Sequence, residues 1–154
     1  MRTRTLLVRD VAVHDPVTVL PEESITDCAK RMHAEHVGCL IVVEQTDGIQ
    51  FPIGMLTDRD IALEVVAFGL DPRAMTAGDV MSEKPAVVEE DDDLLDALAL
   101  MRERGARRLP VARADGALIG VIAFDNLLEA LAEQLDGMIG VLKAQQTHEL
   151  RTRP

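Results

Sequence analysis

The sequence predicts a mixed α/β (α+β) protein built from one small unit used twice, each copy running strand, helix, strand, strand, helix. Three observations lead there: the chain matches itself at a nearly fixed offset, each copy carries a one-sided apolar helix, and each holds two short apolar runs joined through an Asp-Gly turn. A shift of 69 positions sets Asp10, Val11, Pro16, Val19, Asp27, Met32, Leu40 and Val42 on Asp79, Val80, Pro85, Val88, Asp96, Met101, Leu109 and Val111. That is eight identities in 33 positions, where composition alone gives about two. Beyond Val42 the offset becomes 66, so that Ile53 and Gly54 fall on Ile119 and Gly120. The first copy has a turn three residues longer.

Each element follows from local chemistry. "PVTVL" and "PAVVE" are short strands entered through a proline. Ser24 with Asp27, and Asp93 with Asp96, have the spacing of capping boxes at helix starts. Ile25, Cys28, Ala29 and Met32, then Leu94, Ala97, Leu98 and Met101, recur at i, i+3, i+4, i+7, the mark of a helix with one buried face. "CLIVVE" with "FPIGML", and "RLPVAR" with "LIGVIA", read as β-hairpins around Asp47-Gly48 and Asp115-Gly116. "DIALEVVAF", ended by Gly69, and "NLLEALAEQL" close the two copies as helices. The expected divisions are an N-terminal extension 1–7, a first repeat 8–69, a linker 70–77, a second repeat 78–136 and a helical tail 137–154. One unit is too small to bury a good core alone. Two side by side are expected to share one, with pseudo-twofold symmetry and a cleft between equivalent strand-to-helix junctions.

Composition narrows the function. The 154 residues carry a net charge of -11 with three Phe, no Tyr and no Trp. Phosphate-backbone binding and base stacking are therefore poor expectations, and nucleic acid is not expected as the main partner. The acidic run "EEDDD" at 89–93 reads as a solvated loop. No apolar run approaches a membrane span, and the start lacks the form of a signal peptide. A cytoplasmic protein without a disulfide framework is expected, since the only cysteines are Cys28 and Cys39.

The stretch "GMLTDRD", residues 54–60, sits where a strand becomes a helix. Thr57 and Asp60 there suit either a helix cap or a polyhydroxylated, anionic ligand at a helix N-terminus. In this order and in duplicate, the unit resembles the CBS domain, whose tandem pair is often called a Bateman module. The resemblance covers residues 8–136. It implies a regulatory fold that binds AMP, ADP, ATP or a related adenosyl compound in the cleft between repeats. It also implies a homodimer, a flat disc of four repeats. The family's ribose pattern of Gly, two residues, Thr or Ser, two residues, then Asp or Asn is met by Gly54, Thr57 and Asp60. The second copy has Gly120, Ala123 and Asn126, so it lacks the hydroxyl. Asp58 and Arg59 lie inside the first pattern, and Arg107 and Arg108 precede the second hairpin where the family often meets phosphates. Two unequal clefts are expected, one with the better sugar contacts and the other with the guanidinium pair.

No nucleophile with a His and acid partner, no Walker loop, no dinucleotide fingerprint and no HExxH occurs, so no catalytic residue is expected. Nor is any cofactor required. Cys28, His33, His36 and Cys39 have metal-binding chemistry, but on one helix positions 28 and 33 point about 140° apart, and Cys28 lies on the apolar stripe. No metal site is expected. The rival readings are a ligand-free dimerisation scaffold and a metal- or redox-responsive module. Because no output domain is joined to the repeats, the signal is expected to pass to a separate regulated protein. Leu127, Leu128, Leu131, Leu135, Ile139 and Leu142 exceed what one core needs and are expected to meet a second copy.

Overall fold

A computed structural model describes residues 5–152. The first copy contributes β2 (Thr18–Val19), α2 (Ile25–Glu35), β3 (Cys39–Thr46), β4 (Ile49–Thr57) and α3 (Asp58–Asp60), which continues as a π-helical segment, Ile61–Val66. The second contributes β6 (Val88–Glu89), α5 (Leu94–Arg104), β7 (Arg108–Ala112), β8 (Leu118–Ala123) and α6 (Phe124–Thr152). Ahead of each copy stands a short helix with a two-residue strand: α1 (Val8–Val11) with β1 (Val13–His14), and α4 (Ala77–Val80) with β5 (Ser82–Glu83). The fold is thus the mixed α/β arrangement that the repeat predicts.

The two lead segments are exchanged. The sheets run β2-β3-β4-β5 and β1-β8-β7-β6, so β5 completes the first copy's sheet and β1 the second's. The cores follow. Val8 is fully buried among Leu94, Met101, Leu109, Ile122 and Leu127 of the second copy. Ala77 is fully buried among Ile25, Cys28, Leu40, Leu56 and Val65 of the first. The expectation of one shared core is therefore corrected: there are two cores, and each is finished by a segment from the other copy.

The same bonds fix the exchange in both directions. The N–H groups of Val8 and Arg9 donate to the carbonyls of Asp92 and Glu90, and Leu94 N–H donates to Leu6. The N–H groups of Ala77 and Gly78 donate to Glu23 and Pro21, and Ile25 N–H donates to Met75. Asp10 and Asp79, identical in the repeat, accept from the N–H groups of Leu7 and Thr76 at 3.0 and 2.9 Å and so cap the lead helices. The acidic run 89–93 is also structural in part: Asp92 accepts from Glu89 N–H at 2.8 Å, and Asp91 pairs with Arg9 at 2.6 Å.

The shared Ile-Gly pair now has a reason. Both hairpins step register at the same place, between Val42 and Val43 and between Val111 and Ala112, where Ile53 and Ile119 fall as bulges. The next residue, Gly54 or Gly120, lies under the crossing strand, with Gly54 opposite Glu83 and Gly120 opposite His14. A Cβ on Gly120 would meet the carbonyl oxygen of Val13 at 2.7 Å, and one on Gly54 would meet the Met81 side chain and the carbonyl of Ser82 at 3.1 Å.

Three local readings need correction. Ser24 does cap α2, accepting from Asp27 N–H at 3.1 Å, but the Asp27 carboxylate takes the Ser24 hydroxyl and not its backbone. Asp93 caps α5 through Leu95 N–H at 2.8 Å, without Asp96. The helix after β4 widens, with Ala67 and Leu70 donating five residues back to Ala62 and Val65. The wide turn buries Val65 and leaves Val66 and Phe68 exposed at 69% and 71%.

Helix α6 is one rod. Leu127 belongs to the second core and Leu131 packs against it, so the expected dimer face loses those two residues. From residue 132 onward every described position is exposed, a projection of about 30 Å at 1.5 Å per residue.

Gly120→Val should destabilise the protein by about 1–3 kcal/mol, because the added side chain must displace a backbone carbonyl and not a flexible side chain. Gly137→Ala, where nothing lies within 4 Å of the new atom, should leave stability unchanged or raise it by up to about 1 kcal/mol. Urea unfolding of both variants checks the contrast.

Candidate ligand cleft

The strand-to-helix junction of each copy is tied to the corner where its first helix meets the hairpin. Asp58 N–H donates to Gly38 at 3.0 Å, and its counterpart, Phe124 N–H, donates to Arg107 at 2.7 Å. In the first copy the junction carries a reciprocal cap. Thr57 Oγ1 accepts from Asp60 N–H at 3.1 Å, and Asp60 Oδ2 accepts from Thr57 N–H at 2.9 Å. The cap fixes both side chains and leaves the Thr57 hydroxyl hydrogen and Asp60 Oδ1 without an intramolecular partner among the described residues. Asp58 Oδ1 accepts from Arg59 N–H at 2.8 Å, and Gly38 leaves room for the Asp58 carboxylate, whose Oδ2 would lie 3.0 Å from a Cβ there.

These groups line a cleft of about 650 Å³ between the copies, a size ordinary for a cofactor-sized molecule. Thr57, Asp58, Arg59 and Asp60 form one wall, and Arg107 and Arg108 of the second copy stand in the same cleft. That differs in part from the expected division of labour, which gave the pair to the second junction alone. The guanidinium pair is not private to the second junction, because the pseudo-twofold axis brings the helix-to-strand corner of one copy against the strand-to-helix junction of the other. Arg107 and Arg108 also border a smaller recess of about 270 Å³ beside Ala123, Phe124 and Asp125. Arg107 there approaches Asp125 at 3.4 Å, with both side chains mostly exposed, a pair that contributes little. Arg108 also reaches a recess of about 230 Å³ with Asp15, His36 and Val121.

Not every expected residue reaches a cleft. Gly54 and Gly120 are buried under the crossing strands, and the crossing itself accounts for their lack of a side chain. Asn126 is half-buried in the first turn of α6 and lines none of these recesses. Conversely, Ser82, Glu83, Lys84 and Arg104 line the main cleft and were not singled out from sequence. The first three come from the exchanged strand and its exit, and only the doubled Pro16 and Pro85 marked that region.

Cys39 also lines the cleft. Burial pushes its thiol up to about 11; Asp60 and Asp58 push the same way and the Arg108 guanidinium opposes them. Cys28, fully buried, is likewise raised to about 11, chiefly by burial. Both are thiols at neutral pH. Among the described residues no group of three or more His, Cys, Asp and Glu side chains is placed to hold a metal ion. No helix there is long and apolar enough to cross a membrane.

The pattern of the CBS domain matches residues 8–67 and again 77–133, and the chain belongs to that family. MK0525 of Methanopyrus kandleri is 35% identical over 126 residues, covering 82% of this chain but 63% of that protein. Among solved structures, Hypoxic Response Protein I with two coordinated zinc ions is 29% identical, covers 80% of this chain and 98% of its own, and superposes with a TM-score of 0.71. CBSX2 in complex with AMP is 29% identical, with coverages of 84% and 98% and a TM-score of 0.68.

The thiols define a pH dependence. With folded values near 11 against a reference of 9.0, the folded chain keeps protons that the unfolded chain releases. Stability should fall as pH rises from about 9 to 11. Cys39 should alkylate about 100-fold more slowly at pH 7.5 than a free cysteine, following its thiolate fraction. Arg108→Ala should slow it further, since a cation that favours the thiolate is lost. Mass-spectrometric timing of iodoacetamide addition reads both effects.

Proposed function

We propose that the chain is a regulatory module, not an enzyme, that binds an adenosyl nucleotide in the main cleft and passes that state to a partner protein. One observation carries the reading: the Thr57–Asp60 junction of one copy and the Arg107–Arg108 pair of the other line the same cleft of about 650 Å³. A ribose needs a hydroxyl acceptor fixed in place. Asp60 is held by its cap with one oxygen turned to other use, as acidic residues serve ribose hydroxyls in dinucleotide folds. Phosphates need cations in fork geometry, which the two arginines supply. Met55, Ala106 and Leu109 give apolar lining for a base. The AMP complex of CBSX2 supports the ligand class.

The module acts as a cytoplasmic homodimer in this reading. Leu128, Leu135, Met138 and Leu142 are each more than half exposed along α6, an apolar stripe at helical spacing that a second copy covers. Sedimentation at micromolar concentration should give twice the 16.8 kDa of one chain. A monomer there would exclude the dimer.

Thermal shift with AMP, ADP, ATP, S-adenosylmethionine and NADH tests the ligand. A binder at 100 times its Kd should add about 2.7 kcal/mol of apparent stability. Asp60→Asn keeps an acceptor for the cap and removes the charge; Asn also stands at the matching position of the second copy, Asn126. It should weaken AMP by about tenfold, the difference between charged and neutral hydrogen bonds. AMP binding unchanged in a folded Asp60→Asn protein removes the ribose role. Deleting residues 137–154 should leave AMP binding unchanged, because none of the described residues among them lines the main cleft.

A further inference from the structure

Asp15 and Lys84 occupy the same place in the two copies, 69 positions apart and each directly before a proline. Both have left-handed backbone, φ 58 and 50. Residues before proline are normally extended. A left-handed non-glycine residue is uncommon, and Asp and Asn tolerate it far better than a long side chain. Such positions persist where surrounding structure enforces them, and they gather at ligand clamps. Here the enforcing structure is the exchange: each residue leaves the crossing strand at once, β1 ending at His14 and β5 at Glu83. The turn places the two residues at different clefts. Lys84 lines the main cleft, and Asp15 lines the recess of about 230 Å³ on the other side. The backbone device is duplicated while the charge on it is reversed.

The surroundings agree with the reversal. The main cleft is lined by five cationic and three anionic side chains in a chain of net charge -11. Lys84, Arg59 and Arg108 make no ion pair among the described residues. Two of the three acids are engaged at the junction, Asp58 with Arg59 N–H and Asp60 with Thr57 N–H. On the other side Asp15 shares its recess with Arg108 alone among full cations, and the adjoining recess holds Asp125 on Arg107.

We infer that Lys84 is a specificity-determining residue: it fits the main cleft to ligands bearing a di- or triphosphate, and Asp15 denies the opposite cleft to them. This rests on the adenosyl reading for the nucleoside part, but the polyphosphate part can be read alone. A lysine is a poor choice for a left-handed turn, and a point charge on a flexible stem is a good one for a phosphate chain whose reach varies.

Calorimetric titration of the full chain with ATP, AMP and inorganic tripolyphosphate, against wild type and Lys84→Asn, tests it. Asn suits the left-handed turn, so the variant should melt no lower than wild type, and Lys84→Gly provides a second neutral variant on the same backbone. Wild type should bind ATP at least about tenfold more tightly than AMP. Lys84→Asn should weaken ATP and tripolyphosphate by about tenfold and AMP by less than about threefold. Equal losses for ATP and AMP, or no loss of tripolyphosphate binding, overturn the assignment. If tripolyphosphate binds and loses affinity in Lys84→Asn while no adenosyl compound binds, the adenosyl reading fails and the role of Lys84 stands. If tripolyphosphate does not bind wild type at all, the role of Lys84 falls.

Discussion

Two backbone crossings, over Gly54 and over Gly120, hold this molecule together as one object. Each is the point where a lead segment leaves its own copy and enters the other's sheet. A side chain at Gly120 would meet the crossing strand's backbone, and one at Gly54 would meet the Met81 side chain at the strand's entry and crowd the Ser82 carbonyl. The crossing strand in turn carries its lead helix into the opposite core, where Val8 and Ala77 are fully buried. Burial of apolar surface is the main favourable term in folding, and here each half of that term depends on chain from the other half. The sheet order, the two cores and the cleft walls all follow from these two close approaches.

The cleft inherits its rigidity from this arrangement. One wall is a capped junction of the first copy, where Thr57 and Asp60 hold each other at 3.1 and 2.9 Å. The facing wall is built by the second copy's helix-to-strand corner and by the exit of β5. In the proposed reading, helix capping and ligand binding are therefore not competing roles for Thr57 and Asp60. The cap orients the groups and keeps the helix N-terminus turned to the cleft. The local positive lining stands out against an acidic chain, which is the electrostatic ground for proposing an anionic ligand here.

Much of this was legible in the residues. The duplication, both helices with their buried faces, both hairpins and the capped junction at Thr57 could be read because each is a local pattern with a fixed period or spacing. The exchange could not, because nothing in "VRDV" or "AGDV" says whose sheet it joins; the repeated Asp10 and Asp79 showed only that something was reused. The same blindness gave Arg107 and Arg108 one neighbourhood where the structure gives them two. They border the second junction, as their place in the sequence suggests, and also line the cleft of the first. Gly54 entered as the first position of a ribose pattern, and in space it lies under the crossing strand. Lys84 was invisible for a related reason, since a positive φ on a lysine leaves no compositional trace. Leu127 was counted as surplus apolar surface because the need for it, a core completed by Val8, lies 119 residues away.

The reciprocity of the exchange also bears on descent. The bonds from segment 6–9 to residues 90–94 are repeated, position for position, by those from 75–78 to residues 21–25. A lone ancestral unit with this lead segment would expose an unfinished sheet edge and a core missing its last residue, and the surface that completes both is an identical unit. A second, identical chain would complete such a unit in the way the two copies complete each other here. Joining the two into one polypeptide then requires no new interface, only a tether such as 70–74. Once tethered, the halves are free to differ at positions the pairing does not use, as Thr57 and Ala123, or Lys84 and Asp15, do on a shared frame.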